Sequence, residues 1–239
     1  MLAINHVTLS TAVTFGLSLY LDQPFFLPFI IFVAFSSLLP DIDHPNSEIS
    51  NFFPGINKAL PHRGVTHSIF GVGAFTFALN FLLQRDATFS VILILGSLIG
   101  VYILSKIMTK KIYEINNATK DFFSTKQMKL VIKTFSGTLY VFLAMLIFLI
   151  WKERFRLEIA TLLIIGYAGH IIGDFITKDG IPLFWPLKVR SGLKIFRTGG
   201  AFESFLGILL FFTNIYLVYQ FYQHFNVDTQ SYWQNYLTY

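Results

Sequence analysis

The sequence has no cysteine, and only 13% of its 239 residues are charged. Without cysteine the protein can form no disulfide, no iron–sulfur cluster and no thiolate zinc site, so any metal must be bound by His, Asp or Glu. A soluble domain of this length would carry roughly a quarter charged residues. Hydrophobic residues instead make up 54% of the chain, and the mean hydropathy is +0.60. This composition indicates an integral membrane protein.

Apolar windows long enough to cross a hydrocarbon layer of about 30 Å recur along the chain. Seven are predicted, at 7–21, 24–40, 67–84, 88–108, 135–151, 157–176 and 202–222. The first has no basic segment before it and no clear small-residue cleavage site after it, so we expect it to be retained rather than removed as a signal peptide. We predict an all-α, polytopic transmembrane bundle of about seven spans, six being the alternative. It would form a single domain over 1–239, with a lysine-rich cytoplasmic loop near 106–133.

Seven alternating spans place the chemically unusual polar residues on one side of the membrane. These residues are His6, Asp41, Asp43, His44, His62, His67, His170, Asp174 and Glu203. Most of the 18 Lys and Arg residues fall on the same side. Because positive loops stay in the cytoplasm, we expect the N-terminus and this polar side to be cytoplasmic, and the C-terminal tail to lie outside a bacterial inner membrane. A six-span arrangement would scatter the polar residues over both faces.

The segment "PDIDHP" places Asp41 and Asp43 between two prolines that prevent a helix from continuing. Two carboxylates this close repel each other unless a cation neutralises them, which favours a metal site. The alternative is an Asx-type turn that ends a helix, with His44 in solvent.

The segment "HRGVTHS" contains His62 and His67, five residues apart. On one helix they would point about 140° apart, so we predict a loop that enters a helix, with Thr66 or Ser68 near the N-cap. Arg63 could hold a phosphate or pair with one of the aspartates. The alternative for the two histidines is a structural role.

Two further segments complete the candidate site. "HIIGD" puts His170 and Asp174 on one helical face, where they could share a metal; the alternative is a capping aspartate with an interfacial histidine. In the loop that follows, Lys188, Arg190, Lys194 and Arg197 could bind anionic headgroups or a phosphate, or serve only as positive-inside anchors. Glu203, after this loop, is a candidate last ligand or general base.

The predicted metal ligands use nitrogen and oxygen donors only. They are His6, Asp41, Asp43, His62, His67, His170 and Asp174. This is more than one tetrahedral zinc needs and suits two or three ions, which can activate water for phosphoester hydrolysis. The histidines favour Zn²⁺, and Mn²⁺ or Mg²⁺ with the carboxylates is the alternative.

His6 and three motifs together resemble the YdjM-like family of membrane-bound metal-dependent hydrolases, some of whose members are LexA-regulated. The motifs are "LLPDIDHPNS" at 38–47, "HRGVTHS" at 62–68 and "GHIIGDFITKDGIPLFWP" at 169–186. The resemblance covers about 1–75 and 165–205, and nothing in 85–155 matches a motif of this family. It implies a distant similarity to the superfamily of zinc-dependent phospholipases C and single-strand nucleases, which use three zinc ions.

The resemblance implies a ligand order of an early histidine, an aspartate, a histidine and a His-x-x-x-Asp pair. His6, one of Asp41 or Asp43, one of His62 or His67, and the "HIIGD" pair match that order. A second His-x-x-x-Glu pair is absent, and His224 falls on the other side of the membrane. Glu203 could therefore close a dinuclear site in place of a trinuclear one.

The resemblance and the residues together imply a metal-dependent hydrolase. We expect a phosphoesterase that acts on a phospholipid or a lipid-linked phosphate at the cytoplasmic face, with membrane lipids as partners. The candidate catalytic residues are Asp43, Arg63 and Glu203, and the candidate substrate-binding residues are Lys188, Arg190 and Arg197.

The sequence also bears on three other functions. A non-enzymatic protein that binds or transports a metal would explain the His/Asp cluster equally well, although transporter sites tend to lie at the membrane midplane. The absence of H-E-x-x-H excludes the usual zincin protease. A nuclease gains little support from the net charge of +5, because topology already explains it, and no nucleic-acid partner is expected.

Overall fold

The computed structural model describes residues 1–45, 47, 49–52, 63–84, 91–92, 95, 153–187, 189–228, 232 and 234. The chain divides into two compact units, one formed by Met1–Asn80 with Glu158–Tyr239 and the other by Phe81–Leu157. The predicted span 135–151 and the lysine-rich loop near 106–133 lie outside the described residues, as does most of the span 88–108. The prediction of a single domain stays a prediction.

The described elements are helical. The α-helices are α1 (Ala3–Leu21), α2 (Ile30–Ser36), α3 (Ile69–Leu83), α4 (Glu153–Ile176) and α5 (Ala201–His224). Short 3-10 turns cover Leu27–Phe29, Leu39–Asp43, Ile49–Phe52 and Val65–His67. Across the described parts of the chain, extended backbone pairs only as two isolated bridges. The all-α prediction is confirmed.

Among the described residues, two helices are long and apolar enough to cross a membrane, Phe155–Ile176 within α4 and Ala201–His224, which is α5. They correspond to the predicted spans 157–176 and 202–222. Helix α3 is apolar but has 15 residues, and is therefore about 22 Å long. The count of seven spans stays a prediction.

The predicted span 24–40 is not one continuous helix. Pro28 lies in the 3-10 turn before α2 and Pro40 in the turn after it, and α2 itself has only seven residues. Proline has no amide hydrogen to donate and clashes with the preceding turn, which interrupts an α-helix. At about 10 Å, α2 alone is too short to cross the hydrocarbon layer. The same interruption starts the turn that carries Asp41 and Asp43.

Helix α1 buries a stripe of polar side chains at every fourth position, namely His6, Ser10, Thr14 and Ser18. Residues four apart lie on one face of a helix, so this stripe faces the interior of the unit while Ile4, Leu17 and Leu21 are exposed. An apolar exterior and small polar side chains at the helix contacts are typical of membrane helices.

Glycines in α4 allow α1 to approach closely. A Cβ atom on Gly169 would lie 2.9 Å from Ser10 Cβ, and one on Gly173 would lie 3.0 Å from His6 Nδ1. Ser10 Oγ also donates a hydrogen bond to the carbonyl of Gly166 at 3.2 Å. The spacing of glycines in "GYAGHIIG" therefore sets the distance between the two helices.

Helix α5 packs along α1 through a partly buried amide and leaves its other face exposed. Asn214 Nδ2 donates to the carbonyl of Thr8, and Thr11 Oγ1 donates to Asn214 Oδ1, both at 2.8 Å. Large apolar residues such as Phe205 and Phe212 are exposed on α5. This exposed face fits a helix surrounded by lipid.

Tyr167 connects α4 to the segment before α3. Its hydroxyl donates to the carbonyl of Thr66 at 2.7 Å, and its ring stacks on Phe75 with centroids 4.7 Å apart. Ser68 Oγ accepts the amide hydrogen of Gly71 at 3.0 Å, so Ser68 is the residue that caps α3. These contacts hold the turn that presents His67 against α4.

Candidate metal centre

Four segments of the first unit bring buried His and Asp side chains together. His6 comes from the first turns of α1, and Asp41 from the 3-10 turn after α2. His67 ends the 3-10 turn before α3, and His170 and Asp174 lie one turn apart near the end of α4. His6, His67 and His170 are completely buried. These five residues form two groups able to hold a metal ion, His6 with Asp41 and His170, and His67 with His170 and Asp174.

Two carboxylates approach the facing nitrogens of His67 and His170. His67 Nε2 lies 3.2 Å from His170 Nε2, and each nitrogen also faces one oxygen of each of two carboxylates. Asp41 Oδ1 is 3.5 Å from the His67 nitrogen and 3.7 Å from the His170 nitrogen. Asp174 Oδ2 is 3.5 Å and 3.8 Å from the same two atoms.

These separations match the edges of a zinc coordination tetrahedron. Zn–N and Zn–O bonds of about 2.0–2.2 Å at tetrahedral angles separate neighbouring ligand atoms by about 3.3–3.6 Å. The five measured edges run from 3.2 to 3.8 Å. Two imidazole nitrogens and two carboxylate oxygens are also donors that zinc accepts. The donor set and its spacing therefore fit the predicted ion.

His6 is the clearest sign of a ligand at this site. Both of its ring nitrogens are buried and lack a hydrogen-bond partner, although Nε2 lies 3.3 Å from Asp174 Oδ1. Its ring stacks on that of His170, with centroids 3.6 Å apart. A buried polar atom with no partner costs about 1–3 kcal/mol, so an imidazole with two such atoms calls for a partner. A metal ion would satisfy one of them.

The non-coordinating nitrogens of His67 and His170 are fixed by neighbouring groups. His170 Nδ1–H donates to the carbonyl of Ser37 at 2.6 Å, which leaves Nε2 unprotonated and facing His67. His67 Nδ1 lies 3.0 Å from Thr66 Oγ1, and this hydroxyl donates in turn to Asp43. Such outer hydrogen bonds set the tautomer and direction of a metal-binding histidine. Since His170 offers Nε2 alone, two ions held at once would need Asp41 or Asp174 to bridge them.

Asp41 and Asp43 have different surroundings, which the sequence could not distinguish. Asp41 Oδ1 faces the cluster, and its side chain is 21% exposed. Asp43 Oδ2 is buried, accepts from Thr66 and lies 3.4 Å from His67 Nδ1. The structure thus places Asp41 among the ligand atoms and Asp43 behind His67, on the side away from Nε2.

The pKa of Asp41 is low despite partial burial. Burial alone raises the pKa of this carboxyl, but the hydrogen bond with His67 and the charges of His170 and His6 lower it to about 2. Asp41 is therefore a carboxylate at neutral pH, the form that binds a metal.

Two cationic groups of the chain lie beside Asp174. The amino group of Met1 is 2.6 Å from its Oδ1, and Arg63 Nε is 3.6 Å from its Oδ2. Arg63 also reaches Asp179 with Nη1 at 3.3 Å, from a backbone in the left-handed region at φ 52°. A non-glycine residue in this region costs roughly 1–2 kcal/mol. The guanidinium is consequently held between the cluster and the loop after α4.

Glu203 is fully buried, but backbone groups already occupy its carboxylate. One oxygen accepts the amide hydrogen of Leu2, and the other accepts that of Gly199 at 2.6 Å. Neither group able to hold a metal includes Glu203. Glu203 therefore lies where the start of α5 contacts the start of α1.

The remaining predicted site residues either are exposed or lie outside the described residues. Arg190 and Arg197 are exposed on the loop between α4 and α5. His62 and Lys188 lie outside the described residues. Sequence reasoning missed Asp179, Ser37 and the role of Thr66 as a bridge to Asp43. Asp179 lies within the quoted segment 169–186, but no ligand or catalytic spacing singles it out, and a backbone carbonyl has no sequence signature.

The apolar helices and the buried His/Asp cluster define a class of protein, namely a helical membrane protein with a candidate metal centre. The family model for the YdjM inner membrane protein matches residues 1–110 and 134–227. The chain belongs to the YdjM inner membrane protein family.

Individual relatives are similar over a shorter segment. The inner membrane protein YdjM of Escherichia coli (strain K12) and that of Shigella flexneri are each 33% identical over 57 residues. This segment is 23% of the chain and 29% of either relative, so the chain covers less than a third of their length. No solved structure matches the chain significantly. The family confirms the resemblance drawn from the motifs and the location in the inner membrane.

Proposed function

We propose that the protein is a membrane-embedded, metal-dependent hydrolase. Its substrate would be a phosphoester, in a phospholipid or a lipid-linked phosphate, at the cytoplasmic face. The observation that carries this proposal is the buried cluster in which His67, His170 and two carboxylates have metal-ligand spacing and, within the described residues, neither ring nitrogen of His6 has a hydrogen-bond partner.

The residues of the cluster would have separate roles. His67, His170, Asp41 and Asp174 would hold one ion, and His6 would contribute to a second. A bound divalent ion supplies Lewis acidity and makes a water molecule acidic enough to act as a nucleophile near neutral pH. Thr66 and Asp43 would keep the His67 ring in its binding orientation.

Arg63 is the residue best placed to bind a phosphate. Its side chain is 11% exposed, and its guanidinium lies within 4 Å of Asp174 in the cluster. A guanidinium offers several donors in one plane, which suits phosphate oxygens. Asp41 is the most exposed of the ligands described above, so we infer that substrate approaches from its side.

The second candidate is a non-enzymatic protein with a structural or transported metal. One observation favours it. His67, His170, Asp41 and Asp174 offer four donor atoms, each at metal-ligand spacing from the histidine nitrogens, and closed four-ligand sites are typical of structural zinc. A catalytic site needs one position open to water, which would require Asp41 or Asp174 to move aside or bridge two ions.

The test combines metal analysis with a substrate screen on purified full-length protein. Metal content would be measured by mass spectrometry for wild type, His67→Ala and His170→Ala. His224→Ala is the matched control, because His224 is exposed and pairs with Asp22. Hydrolysis of 4-nitrophenyl phosphate esters and of phosphatidic acid in mixed micelles would be followed with and without chelator.

Metal bound by wild type and His224→Ala but lost in the two cluster variants, together with chelator-sensitive hydrolysis, would support the hydrolase. Bound metal with no hydrolysis of any phosphoester would favour the non-enzymatic candidate. Absence of bound metal in wild-type protein purified without chelator would contradict both candidate functions.

A further inference from the structure

The segment that joins α4 to α5, residues 177–200, exposes apolar and cationic side chains together. Six large apolar side chains are exposed on it, by 39% to 69% of their surface. They are Phe184, Trp185, Leu187, Val189, Leu193 and Ile195. Arg190, Lys194 and Arg197 are exposed among them. We call this segment the 177–200 loop.

The backbone holds the 177–200 loop in a defined shape. Ile181 and Ser191 exchange two hydrogen bonds, at 3.0 and 2.8 Å, and Lys178 N–H donates to the Phe196 carbonyl at 2.7 Å. Leu193 N–H donates to the carbonyl of Phe175 at the end of α4. Ile181 and Phe196 are buried and anchor the loop. The exposed apolar side chains are therefore held outward by a fixed backbone.

The position of the 177–200 loop identifies what lies against it. The loop begins where α4 ends and finishes where α5 begins, and both of these helices are long and apolar enough to cross a membrane. A loop between two consecutive spans starts and ends at the same membrane face. Its apolar side chains consequently have a lipid surface within reach.

The mixture of side chains fits one part of that surface. Apolar and aromatic residues enter the boundary between headgroups and acyl chains, while arginine and lysine bind anionic headgroups. In "VRSGLKIFR" the two kinds alternate, so no purely apolar or purely charged partner complements it. We propose that the 177–200 loop inserts into the interface of the bilayer and binds anionic phospholipid headgroups through Arg190, Lys194 and Arg197.

This proposal requires membrane insertion alone and does not depend on metal binding or hydrolysis. It also gives the exposed arginines a role at the membrane surface, apart from the phosphate site beside Arg63. A protein that binds no metal would still insert this loop, so failure of one proposal is distinguishable from failure of the other.

The absence of cysteine makes the test direct. Single cysteines would replace Val189, Leu193 and, as the matched control, Thr198, which is exposed on the same loop. Each full-length variant would carry a nitroxide label in nanodiscs of phosphatidylcholine with about one third phosphatidylglycerol. Electron paramagnetic resonance would compare the relaxation caused by oxygen, which enters lipid, with that caused by a nickel chelate, which stays in water.

We expect labels at 189 and 193 to favour oxygen over nickel, and the label at 198 to favour nickel. Labels at 189 and 193 that favour nickel would show a loop in water and overturn the proposal. Labels closed to both reagents would show a protein partner instead, which also overturns it.

A second measurement tests the headgroup contact. Arg190→Gln, Lys194→Gln and Arg197→Gln would be combined with the label at 189, in nanodiscs with and without phosphatidylglycerol. In the parent, phosphatidylglycerol should increase the ratio of oxygen to nickel relaxation, and the triple variant should lose this increase. Lys178→Gln, exposed at the base of the loop, is the control. If phosphatidylglycerol increased the oxygen-to-nickel relaxation ratio of the triple variant as much as that of the parent, the three cations would not bind the headgroups.

Discussion

At the scale of single residues, His6 gives the sharpest test of the metal centre, because its two ring nitrogens are buried without hydrogen bonds. We expect two ions in wild type. His6→Ala should retain the ion held by His67 and His170 and lose the other, whereas Asp174→Ala should lose both, since Asp174 lies beside both groups. Metal content by mass spectrometry checks this. Full metal content in His6→Ala would exclude His6 as a ligand.

The two aspartates of "PDIDHP" should differ in effect. Asp41→Asn removes a carboxylate from the ligand atoms and should abolish binding of the ion at His67. Asp43→Asn leaves the ligands intact but weakens the contact that orients His67, and should lower metal affinity by about 10–100-fold. Competition with a chromophoric chelator measures both affinities. Equal losses in the two variants would contradict the separation of roles.

The residue types and order of the site were predictable, whereas the roles within it were not. The density of His and Asp in "PDIDHP" and "HIIGD" indicated a shared cation, and the structure brings His6, Asp41, His67, His170 and Asp174 together. Asp41 and Asp43 differ only in direction, which the turn after α2 sets through packing. Thr66 is a common residue whose role depends on lying between His67 and Asp43.

At the scale of helices, the hydrogen bonds that Glu203 accepts where α1 meets α5 should stabilise the fold and should not affect metal binding. Glu203→Gln replaces a carboxylate that accepts from the amides of Leu2 and Gly199. Hydrogen bonds to a charged group are worth about 1.5–3 kcal/mol each, so the midpoint of thermal unfolding should fall while metal content stays unchanged. Asp228→Asn, at an exposed carboxylate, is the control. Loss of metal at unchanged stability would restore Glu203 as a ligand.

The close contact between α1 and α4 can be tested with one methyl group. A Cβ on Gly173 would lie 3.0 Å from His6 Nδ1, so Gly173→Ala should displace the imidazole and weaken metal binding. Gly16→Ala is the matched control, because a Cβ there meets nothing within 4 Å. Alanine at a tolerant helical site stabilises by about 0.5–1 kcal/mol. Equal metal affinity in the two variants would contradict the close approach.

The helices were predictable where the apolar run is long and free of proline. The windows 157–176 and 202–222 recur as α4 and α5 with small shifts at their ends. The window 24–40 is as apolar, but Pro28 and Pro40 fall within helical turns and leave only the short α2. A hydropathy window averages the apolar character of its residues. It does not register that proline has no amide hydrogen and interrupts a helix.

At the scale of the whole molecule, membrane topology is the open prediction. If the cluster faces the cytoplasm, a cysteine at Thr198 should react with a membrane-impermeant maleimide in inverted vesicles and stay unlabelled in intact cells. If α5 is a span, a cysteine at Gln223 should show the opposite pattern. Labelling of both cysteines from the same side of the membrane would contradict α5 as a span. Labelling at 198 in intact cells and at 223 in inverted vesicles would place the cluster on the outer face.

The first unit is discontinuous in the chain, and this has a consequence for its synthesis. His67 and His170 are neighbours in space but 103 residues apart in sequence. At about 5–20 residues per second, a ribosome needs on the order of 5–20 s to reach His170 after it has added His67. During that interval the newly inserted aspartates and His67 have none of their α4 partners. The metal centre can therefore be completed only late in synthesis, so a chain truncated before α4 should bind no metal at this site.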